Sequence, residues 1–143
     1  MKELKGIVSL SEASLLALHS MVLLAQHDSG PLTIKQMAEK TASSEAHLSK
    51  VMQRLAKINL VDSIRGPNGG FYLKNPIELV TLLDIYQAIE GPLEEGSCFN
   101  KNGVCPFKNC IFGGLIDKMR HEFRQYLSSK TLKDLVEKSQ SDR

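Results

Sequence analysis

The chain has 143 residues, of which 42% are hydrophobic and 24% charged, with a formal net charge of +2. A chain of this length buries roughly 70% of its unfolded surface, in one domain or two small ones sharing a core, so folding requires neither disulfides nor a metal. The composition excludes disordered and fibrous classes, and the longest apolar run, residues 21–25, is far too short for a membrane span. Lys2, Glu3, Lys5 and Glu12 interrupt the region where a secretory signal would need a continuous apolar stretch. A cytoplasmic protein without a membrane partner is expected.

Positive charge is concentrated early: residues 1–74 carry +3 and residues 75–143 carry −1. This points to a polyanionic partner for the N-terminal half. Ser9-Leu10-Ser11-Glu12 reads as a capping box opening a first helix. Residues 15–25 are apolar nearly all round, which predicts a buried helix, ended by the turn residues Asp28-Ser29-Gly30-Pro31. Thr33-Ile34-Lys35-Gln36 is a second capping box and starts a short helix with Ile34, Met37 and Ala38 on one side. After the polar turn 41–44, a third helix is expected over about residues 45–58, with Leu48, Val51, Met52 and Leu55 as its core stripe.

The outer face of that helix carries His47, Lys50, Arg54 and Lys57. Two short apolar stretches, 60–64 and 71–73, flank Arg65-Gly66-Pro67-Asn68-Gly69-Gly70 and read as a β-hairpin around an Asn-Gly turn. Three helices followed by a hairpin form the winged helix-turn-helix pattern, whose third helix suits a major groove about 12 Å wide. The fold class expected is therefore mainly α with a small β-hairpin wing.

Asn75-Pro76 breaks the pattern, dividing a DNA-binding domain, 1–75, from a second region, 76–143. Thr81-Leu82-Leu83-Asp84 caps a helix that stops at Gly91-Pro92, and residues 92–110 form a long loop. A long helix is expected over about residues 110–127. Its stripe of Phe112, Leu115, Ile116, Met119, Phe123, Tyr126 and Leu127 exceeds what one small domain covers and suits a two-fold contact with a second copy. Thr131 to Asp134 opens a short last helix, with fraying expected from Ser139.

All three cysteines, Cys98, Cys105 and Cys110, fall within 13 consecutive residues of the loop. An odd number so clustered fits a metal or redox site better than a disulfide framework. The spacing is too loose for a zinc knuckle but suits an iron–sulfur cluster, which takes soft thiolate ligands and needs a fourth donor beyond these three. Candidates for that place are Glu12, which the capping box also claims, and His19, alternatively a core histidine among apolar neighbours. His47 belongs to the outer face of the third helix, and His121 lies about 16 Å along the last long helix from Cys110. A cysteine nucleophile paired with histidine lacks any supporting local pattern, so an enzyme is not expected.

The Leu16-Ala17-Leu18-His19 opening, the basic third helix and the Arg65-Gly66-Pro67-Asn68-Gly69-Gly70 wing resemble one family, as do Leu82-Leu83-Asp84-Ile85, Ile89-Glu90-Gly91 and the cysteine loop ahead of a long helix. This is the IscR/NsrR/CymR-type group of bacterial winged-helix regulators, the Rrf-two family, and the resemblance spans residues 4–138. It implies a homodimeric transcription factor, a repressor in this reading, binding double-stranded DNA at a palindromic operator. Ser44, Glu45, His47 and Lys50 would then face base edges, Arg54 and Lys57 would meet phosphate, and Arg65, with Asn68 and Gly69, would enter the minor groove. A [2Fe-2S] or [4Fe-4S] cluster on Cys98, Cys105 and Cys110, with His19 as a further ligand, would control operator affinity. The alternative is a cluster-free regulator controlled by thiol oxidation or a partner protein. The sequence departs from the family pattern at Leu15, where an acidic ligand is usual, and at Gly113, where Isc-type members carry histidine.

Overall fold

The computed structural model describes residues 8–93 and 105–141. The elements, in chain order, are α1 (Glu12–Gln26), α2 (Ile34–Thr41), α3 (Glu45–Lys57), β1 (Val61–Ile64), β2 (Gly70–Leu73), α4 (Leu82–Glu90), α5 (Leu115–Ser129) and α6 (Leu132–Ser141). The chain is mainly α with one antiparallel hairpin, as the sequence predicts.

The first helix starts differently from the expectation. Its N-cap is Ser11, whose Oγ accepts from the Ser14 backbone N–H at 3.2 Å. Ser14 occupies the position where a capping box needs a carboxylate. Glu90, at the end of α4, supplies it instead, accepting from the Ser11 backbone N–H at 3.1 Å. The Ser9–Glu12 box is therefore replaced by a long-range cap.

Thr33 and Gln36 form the expected reciprocal box at the start of α2. Ala42 ends that helix in the left-handed region, at φ 53°. Ser44 then caps α3 by accepting from the His47 backbone N–H at 3.1 Å. Leu48, Val51, Met52 and Leu55 are all buried, so the opposite face of α3 is fixed outward.

The hairpin pairs Val61 with Leu73 and Ile64 with Gly70. Its tip is not the expected two-residue Asn-Gly turn. The Gly69 N–H donates to the Gly66 carbonyl at 3.0 Å, putting Pro67 and Asn68 at the turn's centre. Proline at the second turn position and glycine at the fourth favour this choice over an Asn-Gly turn with two left-handed residues. Two further bonds between Leu32 and Phe71, of 2.9 and 2.7 Å, pin β2 to the segment ahead of α2. Gly70 allows this approach, since a Cβ there would stand 2.4 Å from the Leu32 carbonyl oxygen.

The core is continuous across residue 75. Met21, Met37, Leu48, Met52 and Leu55 belong to the same buried cluster as Ile85, Tyr86, Leu127 and Leu132. Thr81 and Asp84 cap α4 reciprocally. The start of α4 is tied to the start of α6 by Leu82 N–H to Lys130 carbonyl, 2.9 Å, and Leu132 N–H to Val80 carbonyl, 3.0 Å. α6 remains helical to Ser141, beyond the expected fraying point. Ser139 is held there, its Oγ donating to the Val136 carbonyl and accepting from Gln26 Nε2 at 2.7 Å.

The long helix α5 begins at Leu115, not near residue 110. Gly113 and Gly114 both take left-handed φ, 59° and 79°, and two such residues in succession break a right-handed helix. Cys110 thus sits in a turn ahead of α5, where the Gly113 N–H donates to its carbonyl at 3.0 Å. Only part of the apolar stripe on α5 is covered: Ile116 and Leu127 are buried and Phe123 stacks edge-on against Tyr86, with ring centroids 5.3 Å apart. Leu115, Met119 and Tyr126 are 52%, 42% and 52% exposed.

Candidate nucleic-acid interface and thiol site

On α3 the buried stripe turns Ser44, Glu45, Lys50 and Lys57 into solvent, with His47 half-buried beside them. These are the positions from which a helix reaches base edges at its N-terminal end and phosphates further along. Arg54 does something else. Its Nη2 donates to the Ile89 carbonyl at the end of α4, 2.5 Å away.

At the wing, Arg65 and Asn68 are exposed on the hairpin tip. Gly69, grouped with them in the sequence reading, is buried. A Cβ there would stand 2.0 Å from the Ile64 carbonyl oxygen, so this glycine shapes the tip and presents its neighbours. The Leu32–Phe71 bridge holds the wing beside the helix-turn-helix, so Arg65 and the outer face of α3 are carried by one scaffold.

Along the outside of α1 runs an open groove of about 810 Å³, with Leu15, His19, Val22 and Leu23 on one side and Lys40 and Ser43 on the other. The expectation that α1 is buried all round fails on this strip, where Leu15 is 40% exposed. Residues 15, 19 and 22 share one helical side, on which Leu15 and His19 are exposed and Val22 is half-buried. His19 is exposed and not a core histidine. Its Nδ1 lies 2.6 Å from the Leu15 carbonyl oxygen, a contact it satisfies as donor, and Nε2 bonds to none of the described residues. Glu12 is exposed in the first turn of the same helix.

Cys98 lies outside the described residues. Cys105 and Cys110 are both free and exposed. Backbone N–H groups of Gly114, Phe112 and Gly113 hold the Cys110 thiol below the usual range, favouring thiolate. Among the described residues no three His, Cys, Asp or Glu side chains gather closely enough for a metal. The donor chemistry fits an iron–sulfur centre nonetheless: exposed sulfur ligands, one biased toward the ionised form that iron binds.

One cluster was missed from sequence. Glu90 Oε1 accepts from the Ser14 hydroxyl at 2.7 Å and from the Ser11 hydroxyl and N–H, while the Tyr86 hydroxyl donates to the Ser9 carbonyl at 2.6 Å. Burial works against the charge, but these donors hold the Glu90 carboxyl down at about 2. The available signal is weak: Ser14 is a small polar residue on the buried side of α1, and such groups usually take a partner, but Ser20 on the same helix is buried without one.

No described helix is long and apolar enough to cross a membrane. Residues 10–138 match the model of the Rrf2 family, described as "Iron-dependent Transcriptional regulator". The chain is 30% identical over 132 residues to the HTH-type transcriptional regulator NsrR of Shouchella clausii, covering 91% of this chain and 87% of that protein. It is similar in structure to CymR, the global cysteine regulator of B. subtilis, with a TM-score of 0.78 at 29% identity over 91% of this chain and 97% of the other. The corresponding values for T. potens IscR are 0.76 and 26%, over 95% and 91%. The winged-helix scaffold, the exposed basic face of α3 and the match over nearly the whole chain together place this protein in the Rrf2 family of DNA-binding transcriptional regulators.

Proposed function

We propose that this regulator binds a palindromic operator as a homodimer, and that its operator affinity is set by the state of Cys98, Cys105 and Cys110, which hold an iron–sulfur cluster. The carrying observation is the position of the thiols. Cys110 stands one turn ahead of α5, the helix whose Leu115, Met119 and Tyr126 remain uncovered within the protomer. A second copy burying that stripe fixes the distance between two α3 helices, which must match half-sites about 34–36 Å apart. When bound, a cluster supplies a redox-sensitive crosslink among the thiolates. Cys110, held by the amides of Gly114 and Phe112, transmits the position of the loop to the N-terminus of α5. His19 is exposed and its Nε2 bonds to none of the described residues, the geometry of a donor offered to a partner subunit's loop. Ser44, Glu45, His47 and Lys50 read bases, Lys57 meets phosphate, and Arg65 enters the minor groove with Asn68 beside it.

Anaerobic purification with iron and sulfide quantification tests the cluster, paired with operator titration before and after iron removal. Iron and sulfide in equal amounts, with affinity changing at least about tenfold on removal, is the expected result. Colourless protein with unchanged affinity overturns it. The exposed, thiolate-biased Cys110 also favours a second reading, in which oxidation of the thiols themselves controls DNA binding without a cluster. Iron-free protein whose affinity responds to peroxide and recovers with dithiothreitol would establish that reading instead.

A further inference from the structure

The residues that lead into the cysteine segment form a junction. The Ile89 carbonyl, one of the last four of α4 and hence without a partner inside its own helix, accepts from Arg54 Nη2 of α3. The next residue, Glu90, is tied to Ser11 and Ser14 of α1. Two residues beyond Gly91, the Leu93 carbonyl accepts from Arg124 Nη1 of α5 at 3.4 Å, and the Leu93 N–H donates to Gln87 Oε1 at 3.2 Å. Three helices are thus fastened to the five residues at which the chain leaves α4.

We propose that Arg54 is a positioning residue and not a phosphate contact: it joins the reading helix to the root of the cysteine segment, so that DNA binding and the state of that segment are coupled through it. A cation at a helix C-terminus is favoured by the negative end of the dipole, which holds the guanidinium on α4. The Arg54 side chain is exposed like Lys50 and Lys57 on the same face, but one amino group of its guanidinium is engaged with that carbonyl. A shift of the end of α4 moves the carbonyl to which α3 is fastened. Coupling of this kind is reciprocal, so duplex bound on α3 alters the reactivity of Cys105 and Cys110. The inference rests on the placement of α3 against DNA but not on the presence of a cluster.

The test uses iron-free full-length protein and a duplex that the protein itself selects from a random-sequence pool. Two quantities are read: the slope of log affinity against log salt, and the iodoacetamide alkylation rates of Cys105 and Cys110 with and without duplex. In the parent, duplex changes the alkylation rates at least about twofold, a reciprocal effect of coupling. Arg54→Met, which keeps the apolar stem, binds about 3–10-fold more weakly with an unchanged salt slope and loses the duplex effect on alkylation, whereas Lys57→Met lowers the slope by about 1 and retains it. A duplex effect retained in Arg54→Met overturns the proposal, whatever its salt slope. Alkylation in the parent that is indifferent to duplex overturns it without any variant, so a misfolded Arg54→Met does not protect it. A parent that selects no duplex overturns the placement of α3 itself, and the coupling through Arg54 with it.

Discussion

The region from α1 to β2 and the helix α5 solve the same problem differently. α3 buries its whole apolar stripe, with Leu48, Met52 and Leu55 at 0% exposure, and turns a mainly polar face with Lys50, Arg54 and Lys57 outward. α5 has an equally regular stripe but covers half of it, against α4, leaving Leu115, Met119 and Tyr126 in solvent. The first region is stabilised by its own chain. The second leaves a contiguous apolar helix face in water, which is the mark of an interaction site. In a two-fold assembly, stability and spacing are then separate quantities: one is fixed within the protomer, the other between protomers.

Paired substitutions test that separation with the largest expected effects. Leu48→Ala removes a fully buried side chain and should cost about 3 kcal/mol of folding stability in urea titrations. Met119→Glu leaves the protomer's core intact but places a charge on the open stripe. Sedimentation equilibrium should show monomer, and operator affinity should fall by about 100-fold or more as two half-sites cease to be bound by one particle. The thermal midpoint of the parent should rise with protein concentration, while that of Met119→Glu should not. A concentration-independent midpoint in the parent breaks the comparison, since α5 would then owe nothing to a second copy.

Glu90 bears on the same division from inside the protomer, with a smaller effect. Its folded carboxyl stands at about 2 against an ordinary value of 4.5. The carboxylate's contribution is therefore fully present above about pH 4.5 and is lost as pH falls toward 2. Glu90→Gln keeps the shape but loses the charge that Ser11 and Ser14 bond to, at a cost of about 2 kcal/mol at neutral pH. Urea titrations between pH 7 and pH 3 should show the parent losing its advantage over Glu90→Gln on the acid side. Parallel curves would mean that the hydroxyls, and not the charge, hold α1 to α4.

What was legible in the sequence follows the range of the interactions. The α3 stripe, the Thr33–Gln36 and Thr81–Asp84 boxes and the hairpin strands depend on residues within a few positions of one another, and local spacing finds them. The exposure of Lys50, Lys57 and Arg65 follows from the same periodicity. The cap of α1 was misplaced because its acceptor, Glu90, is 79 residues from Ser11. The bond from exposed Arg54 escapes the sequence for the same reason: its partner is a main-chain carbonyl 35 residues away, to which no pattern of side chains points. The start of α5 was read through Gly113-Gly114 because Ile111 and Phe112 continue the apolar run, although two glycines in succession carry the opposite signal. His19 has apolar neighbours in sequence, yet helical geometry places it with Leu15 on a side of α1 where both are exposed.

The smallest effect on stability separates the kinds of exposure in the two regions. Arg65 is exposed, like the α5 stripe, but it is a cation on a hairpin tip. Arg65→Ala should leave the thermal midpoint and the sedimentation behaviour of the parent unchanged, since surface substitutions away from packed features shift stability by about 0.5 kcal/mol or less. Its effect should appear only with DNA: operator affinity falls several-fold, and the slope of log affinity against log salt drops by about 1 for each protomer's lost groove contact. An unchanged slope would remove Arg65 from the interface and leave the wing as a brace for α2, held by the Leu32–Phe71 bridge. A changed midpoint would instead place the guanidinium within the fold, and exposure at the tip would then say nothing about DNA.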